Sequence, residues 1–88
     1  MKKPKQLERH LKGAANHRRI EILFLLHKQI ELALEDIAEL LNCNMKTISG
    51  HTKSLFYAGL LNKNYQGRVV LHSLSPYGQK MVEFLKKF

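Results

Sequence analysis

Few residues in this chain are placed for bond-breaking or metal chemistry. Cys43 and His51 lie near one another in the sequence, but two ligands do not close a metal site. The five histidines, His10, His17, His27, His51 and His72, show no HxxxH or HxH spacing. Their default reading is partly buried or surface imidazole. Catalysis would need a nucleophile beside a base, paired carboxylates or a phosphate-binding glycine loop. The acids gather mainly on one short stretch and the glycines stand singly. An enzyme is therefore not expected, nor is a resident metal or cofactor. Cys43 is the single cysteine, so no internal disulfide can form. A free thiol among cations is open to oxidation, and that is the one redox role to weigh.

What remains is a set of cations and hydroxyls at helical spacing. Between Met45 and Ala58, a rotation of about 100° per residue puts Ile48, Thr52 and Leu55 on one face, with Met45 and His51 on its flanks. Lys46, Ser49, Gly50, Lys53, Ser54 and Tyr57 fall on the opposite face. One side can pack on a core while the other presents groups suited to phosphates and to base edges in a major groove. A surface helix whose polar side is merely solvated fits this stretch alone equally well.

The flanking sequence must therefore decide. Asn44 is a good N-cap for this helix, and Gly59 stands where a helix end favours a residue free to take positive φ. Before it, Leu34, Ile37, Ala38 and Leu41 recur at i, i+3, i+4 and i+7 with acids in the first turn, which predicts a short amphipathic helix. The link Asn42-Cys43-Asn44 makes a tight turn between the two helices. After it, residues 62–65 and 68–74 flank Gln66-Gly67 and predict a β-hairpin. Ser75-Pro76 then caps a last helix over 76–88, with Tyr77, Met81, Phe84 or Leu85, and Phe88 along one stripe. Toward the N-terminus, residues 1–4 are expected as a disordered basic tail. A helix over 5–15 carries the thin stripe Leu7, Leu11 and Ala14 or Ala15, and Asn16 caps a helix over 17–27. That helix is apolar nearly all round, so in so small a domain part of it, including Phe24, should meet a second subunit. A short connection is expected around 28–34.

The net charge of +8 over 88 residues is unevenly spread. Residues 43–68 hold four cations and no carboxylate, whereas residues 20–42 hold one cation against five acids. A carboxylate-free segment centred on the candidate recognition helix suits a polyanion such as nucleic acid. An anionic membrane surface would accept the same charge, but the first helix lacks Trp or Phe on its apolar side. The longest uncharged apolar run, 22–26, is far too short to span a bilayer. The N-terminus has no apolar signal-peptide region, so a cytoplasmic protein is expected. A chain of this size buries only about 60 to 65% of its unfolded surface, which makes dimerisation a natural remedy.

Four helices, a hairpin and a fifth helix give a mainly α (α+β) fold class in the order of a winged helix-turn-helix. The run 16–26, NHRRIEILFLL, with Asp36-Ile37-Ala38, the 47–60 pattern TISGHTKSLFYAGL and the Gly-turned hairpin, resembles the ArsR-type and MarR-type bacterial and archaeal transcription regulators. The likeness covers roughly residues 14–74, and the segment after the wing, LSPYGQKMVEFL, resembles it more loosely. The resemblance implies a single winged-helix domain over 5–88, with its helix-turn-helix at about 34–58 and its wing at about 61–74. It implies a homodimer held by terminal helices, with recognition helices in successive major grooves of double-stranded DNA and wings beside the minor grooves.

Carried over by position, Lys46, Thr47, Ser49 and Gly50 are the base-reading candidates. Lys53 and Tyr57 are placed for phosphate, and Arg68 for a minor groove or its phosphates. Leu7, Leu11, Phe24, Tyr77, Met81, Phe84, Leu85 and Phe88 are assigned to the dimer interface. Two residues depart from the pattern. Gly50 stands where a long polar side chain is common, and Thr52 stands where an aliphatic residue is usual, so its hydroxyl must find a carbonyl. The metal ligands that ArsR-type proteins often carry, as Cys pairs before the turn or as Asp and His on the last helix, have no counterparts here. A winged-helix module that binds another protein remains the alternative to a DNA-binding regulator.

Overall fold

The computed structural model describes all residues, 1–88. Its order is α1 (Pro4–Ala14), α2 (His17–Gln29), β1 (Glu31–Ala33), α3 (Leu34–Leu40), α4 (Met45–Tyr57), β2 (Leu61–Gln66), β3 (Val69–Leu74) and α5 (Pro76–Leu85). Side-chain caps set three of the helix starts. Asn16 Oδ1 accepts from the Arg18 and Arg19 amides at 2.9 and 3.3 Å, and Asn44 Oδ1 accepts from those of Lys46 and Thr47 at 2.7 and 3.3 Å. Ser75 Oγ accepts from the Gly78 amide at 3.0 Å and donates to the Gly59 carbonyl at 2.6 Å, joining the start of α5 to the end of the recognition helix.

The tail expected over 1–4 is shorter, because Pro4 is the first residue of α1. A proline at that position gives up no hydrogen bond, and the Lys3 amide donates to Gln6 Oε1 at 2.9 Å. At the other end, the last helix closes at Leu85 rather than reaching Phe88; the apolar stripe outruns the helix, and the Lys87 and Phe88 amides donate to the Phe84 and Leu85 carbonyls at 3.1 and 3.3 Å in a tighter turn. The largest departure is β1, which lies where a mere connection was expected. Helix α2 runs on to Gln29, Ile30 turns the chain with φ 65°, and Glu31–Ala33 pair antiparallel with β3. Three residues carry no readable alternation; the strand exists because β3 offers it a free edge.

The sheet order is β1-β3-β2, so the hairpin β2–β3 is held at its base by a third strand. Gly67 takes φ 64° in its turn. The helices close over a core in which Ile22, Leu23, Leu26, Ile37, Ile48, Leu55, Leu60 and Val82 are fully buried. Burying each such side chain stabilises by roughly 1.5–3 kcal/mol before chain entropy is counted. The Ile48–Thr52–Leu55 face of α4 is buried as its spacing predicts. Thr52 resolves its hydroxyl by donating to the Ser49 carbonyl at 3.0 Å. No helix is long and apolar enough to cross a membrane.

Candidate nucleic-acid interface

The turn before α4 is built by Asn42 at φ 49°, with the Cys43 amide donating to the Ala38 carbonyl at 2.9 Å. A left-handed asparagine ends α3 and aims α4 away from it. Cys43 is half-buried against the core, and no three His, Cys, Asp or Glu side chains gather anywhere as a metal cage would need. With its inner face fixed, α4 presents Lys46, Thr47, Gly50, Lys53 and Tyr57 to solvent, while Ser49 and Ser54 are half-buried. A Cβ added at Gly50 would meet no atom within 4 Å, so the middle of this face is a shallow stretch of bare backbone. Arg68 is exposed at the wing tip beside Gly67.

A polar cleft joins the two parts. Ser49 and Lys53 of α4 share it with Lys63 of β2, His72 of β3 and Arg68. The structure thus brings three of the seven predicted contact residues to one place and adds Lys63, which the sequence reading missed. Lys46, Thr47, Gly50 and Tyr57 lie on α4 outside that cleft.

A second addition is the start of α2. Arg19 Nε donates to His51 Nδ1 at 3.1 Å and its guanidinium reaches the Gly13 carbonyl at 3.4 Å. Arg18 contacts Glu21 and the Leu41 carbonyl at 3.3 and 3.4 Å. Burial first, and then Arg19, His17 and Arg18, push the His51 pKa below its ordinary value. Positive charge therefore continues from α4 onto α2. The signal was present in the sequence: two arginines in a first helical turn oppose the helix dipole, so their placement answers to something outside the helix.

The molecule also carries an apolar groove of about 780 Å³ between α1 and α5. Leu7, Leu11, Tyr77, Met81 and Phe84, five of the residues assigned to a dimer face, line it. Lys2 Nζ sits 4.3 Å from the centre of the Tyr77 ring at its rim. Phe88 is exposed and meets Phe84 edge-on at 5.3 Å, Phe24 is exposed on α2, and Leu85 turns inward against the core.

No family model matches the chain. Solved structures do. HlyU from Vibrio cholerae is 29% identical with a TM-score of 0.85, over 99% of this chain and 96% of that one. HlyU from Vibrio vulnificus, a transcriptional regulator, is 28% identical with a TM-score of 0.79, over 94% and 86%. Mb0332 from Mycobacterium bovis, described as a homodimeric winged helix-turn-helix DNA-binding domain and a possible ArsR-family transcriptional regulator, is 29% identical with a TM-score of 0.84, over 93% and 76%. These neighbours are regulators rather than enzymes, and their TM-scores of 0.79 to 0.85 show that they share the fold. The chain is an ArsR-like winged helix-turn-helix protein with the fold of a transcription regulator.

Proposed function

We propose that the protein is a sequence-specific, double-stranded DNA-binding transcription regulator that acts as a homodimer in the cytoplasm. The observation that carries this reading is the carboxylate-free exposed face of α4, continued by Lys63 and Arg68 on the wing and by Arg18 and Arg19 on α2. In this reading α4 enters the major groove, where Lys46, Thr47 and Ser49 contact base edges and the bare backbone at Gly50 lets the helix lie close. Lys53 and Tyr57 hold phosphates, and Arg68 reaches the minor groove. The apolar α1–α5 groove is covered by the second subunit, with Leu7, Leu11, Tyr77, Met81 and Phe84 at its centre. Phe24, Leu85 and Phe88 flank it. The homodimeric neighbour Mb0332 supports that arrangement.

Binding to duplex DNA across a salt series tests the reading. Lys46→Ala and Lys53→Ala should each weaken binding and lower the slope of log K against log salt by about one unit per lost phosphate contact. Equal slopes for wild type and both variants would sink it. A native mass that corresponds to a monomer would remove the dimer, and a dimeric mass unchanged by Phe84→Glu would remove the α1–α5 groove as its interface.

A further inference from the structure

The cleft between α3, α4 and the wing has a volume of about 230 Å³. Three cations from three elements line it: Lys53 from α4, Lys63 from β2 and Arg68 from the hairpin turn. None of them is in a salt bridge; the ion pairs of the protein are Lys12–Glu8 and Arg18–Glu21. Glu35 of α3 is the one carboxylate in the lining. The Lys63 ammonium rests 4.6 Å from the centre of the Phe56 ring, which holds it beside α4. His72 lies in the wall, only 4% exposed, and its Nδ1 has no hydrogen-bond partner.

Like charges drawn together this way repel unless an anion lies among them. Inorganic phosphate carries four oxygens in a tetrahedron, enough to meet three cations and the Ser49 hydroxyl together, whereas a backbone phosphodiester has two unesterified oxygens, each of which must be shared between cations. At about 30 Å³ per water, the cleft holds such a group with several waters around it. We infer that this cleft seats a single phosphate group, shared by Lys53, Lys63 and Arg68. The phosphate comes either from a DNA backbone or from inorganic phosphate or a phosphomonoester in solution. With DNA as its source the inference rests on the duplex-binding reading above; with a free anion it does not. Lys63 then bridges wing and recognition helix through the anion, so the two elements move as one when it is bound.

The first arm of the test is an amide NMR titration of the full chain with inorganic phosphate, at neutral pH and constant ionic strength, with acetate as the control anion. Saturable shifts confined to Ser49, Lys53, Lys63, Arg68 and His72 are expected, with little response to acetate. Lys63→Met should weaken phosphate about tenfold, the loss of one charge-assisted hydrogen bond. Lys63→Arg should restore binding, and Glu35→Gln should tighten it. Unsaturable drift over every basic surface residue, or unchanged binding in both Lys63→Met and Glu35→Gln, would overturn the free-anion source.

The second arm is duplex binding across a salt series for Lys53→Met, Lys63→Met and the double variant. If the two lysines share one backbone phosphate with Arg68, the double variant loses at most about one unit of slope in all, not two. Separate losses that add would overturn the sharing. Saturable phosphate binding without any duplex binding leaves the cleft as a free-anion site and removes the DNA reading. Duplex binding that ignores Lys63→Met, in a protein whose cleft takes no phosphate, removes the cleft inference alone.

Discussion

His10 Nδ1 donates a hydrogen bond to the carbonyl of Ala58, across 48 residues of sequence. The bond ties α1, one wall of the apolar groove, to the C-terminal end of the recognition helix. His10 is buried, its ring lies 5.0 Å from that of Tyr77, and Gly59 packs directly against it. Any partner that settles on α1 and α5 therefore presses on the residue that holds the end of α4.

Replacing His10 with Phe keeps the ring but removes the donor, leaving a buried carbonyl unpaired. The expected cost is about 1–3 kcal/mol of stability, read as a lower denaturation midpoint at unchanged m-value. Faster amide exchange should accompany it, confined to the last turn of α4 and to Gly59. A loss spread evenly over the fold would argue that the bond is not a local tie.

Two glycines should respond in opposite directions to the same change. At Gly78 an added Cβ would fall on the Leu60 carbonyl oxygen, which is backbone and cannot swing aside. Gly78→Ala should therefore destabilise by about 1–3 kcal/mol. At Gly50 the space is open and the residue is mid-helix. Gly50→Ala should stabilise by about 1 kcal/mol through helix propensity. On the proposed DNA-binding reading it should nonetheless weaken duplex binding, because there the new methyl stands between the helix backbone and the base pairs. Thermal melts and anisotropy on the two variants check both signs.

Ile30 is a β-branched residue at φ 65°, and its side chain is 78% exposed, so almost no packing offsets the backbone strain. With ψ at −61° the residue sits in the strained γ-turn region, which costs an L-residue about 1–3 kcal/mol, and glycine gives back about 0.5–1 kcal/mol of that as chain entropy. Ile30→Gly should raise the melting temperature by a few degrees, whereas Ile30→Val should leave it unchanged. A melting point lowered by glycine would show that the turn is not strained.

Stability should also depend on pH through His72. Burial first, opposed by the Leu32 backbone and reinforced by the Lys63 charge, holds its pKa below the ordinary 6.5. A histidine with a lowered folded value binds fewer protons folded than unfolded. Stability is then full above about 6.5 and falls as the pH drops through that value toward the folded pKa, below which it levels off. His51 is shifted the same way and adds to the loss. Denaturation midpoints across this range should slope downward toward acid, and His72→Gln should flatten part of the slope. A midpoint that rises toward acid would contradict the assignment.

The helices could be read from sequence because their determinants are local. Asn16, Asn44 and Ser75 cap the residues next to them, and the burial of Ile48, Thr52 and Leu55 follows from spacing alone. The exposed polar face of α4 was legible for the same reason. The start of the last helix was equally clear, but not its end. What escaped was set by distant partners. Strand β1 depends on an edge supplied some forty residues later, and His10 reads as one more scattered histidine until Ala58 is beside it. Lys63 reads as an ordinary strand lysine until the sheet's register sets it opposite His72.

The wing is a beam fixed at one end. Register pairs Glu31–Ala33 with Ser73–Leu71, so the strands are braced on both sides of β3 only near the root. Beyond Leu71 the hairpin is two strands wide, and its outer residues, from Tyr65 through Val69, are all exposed. Such a beam is stiff where it joins the recognition helix and compliant at Arg68. With no anion in the cleft it can bend without passing that bending back to α4, so the tip is free to follow an uneven surface while the helix stays fixed.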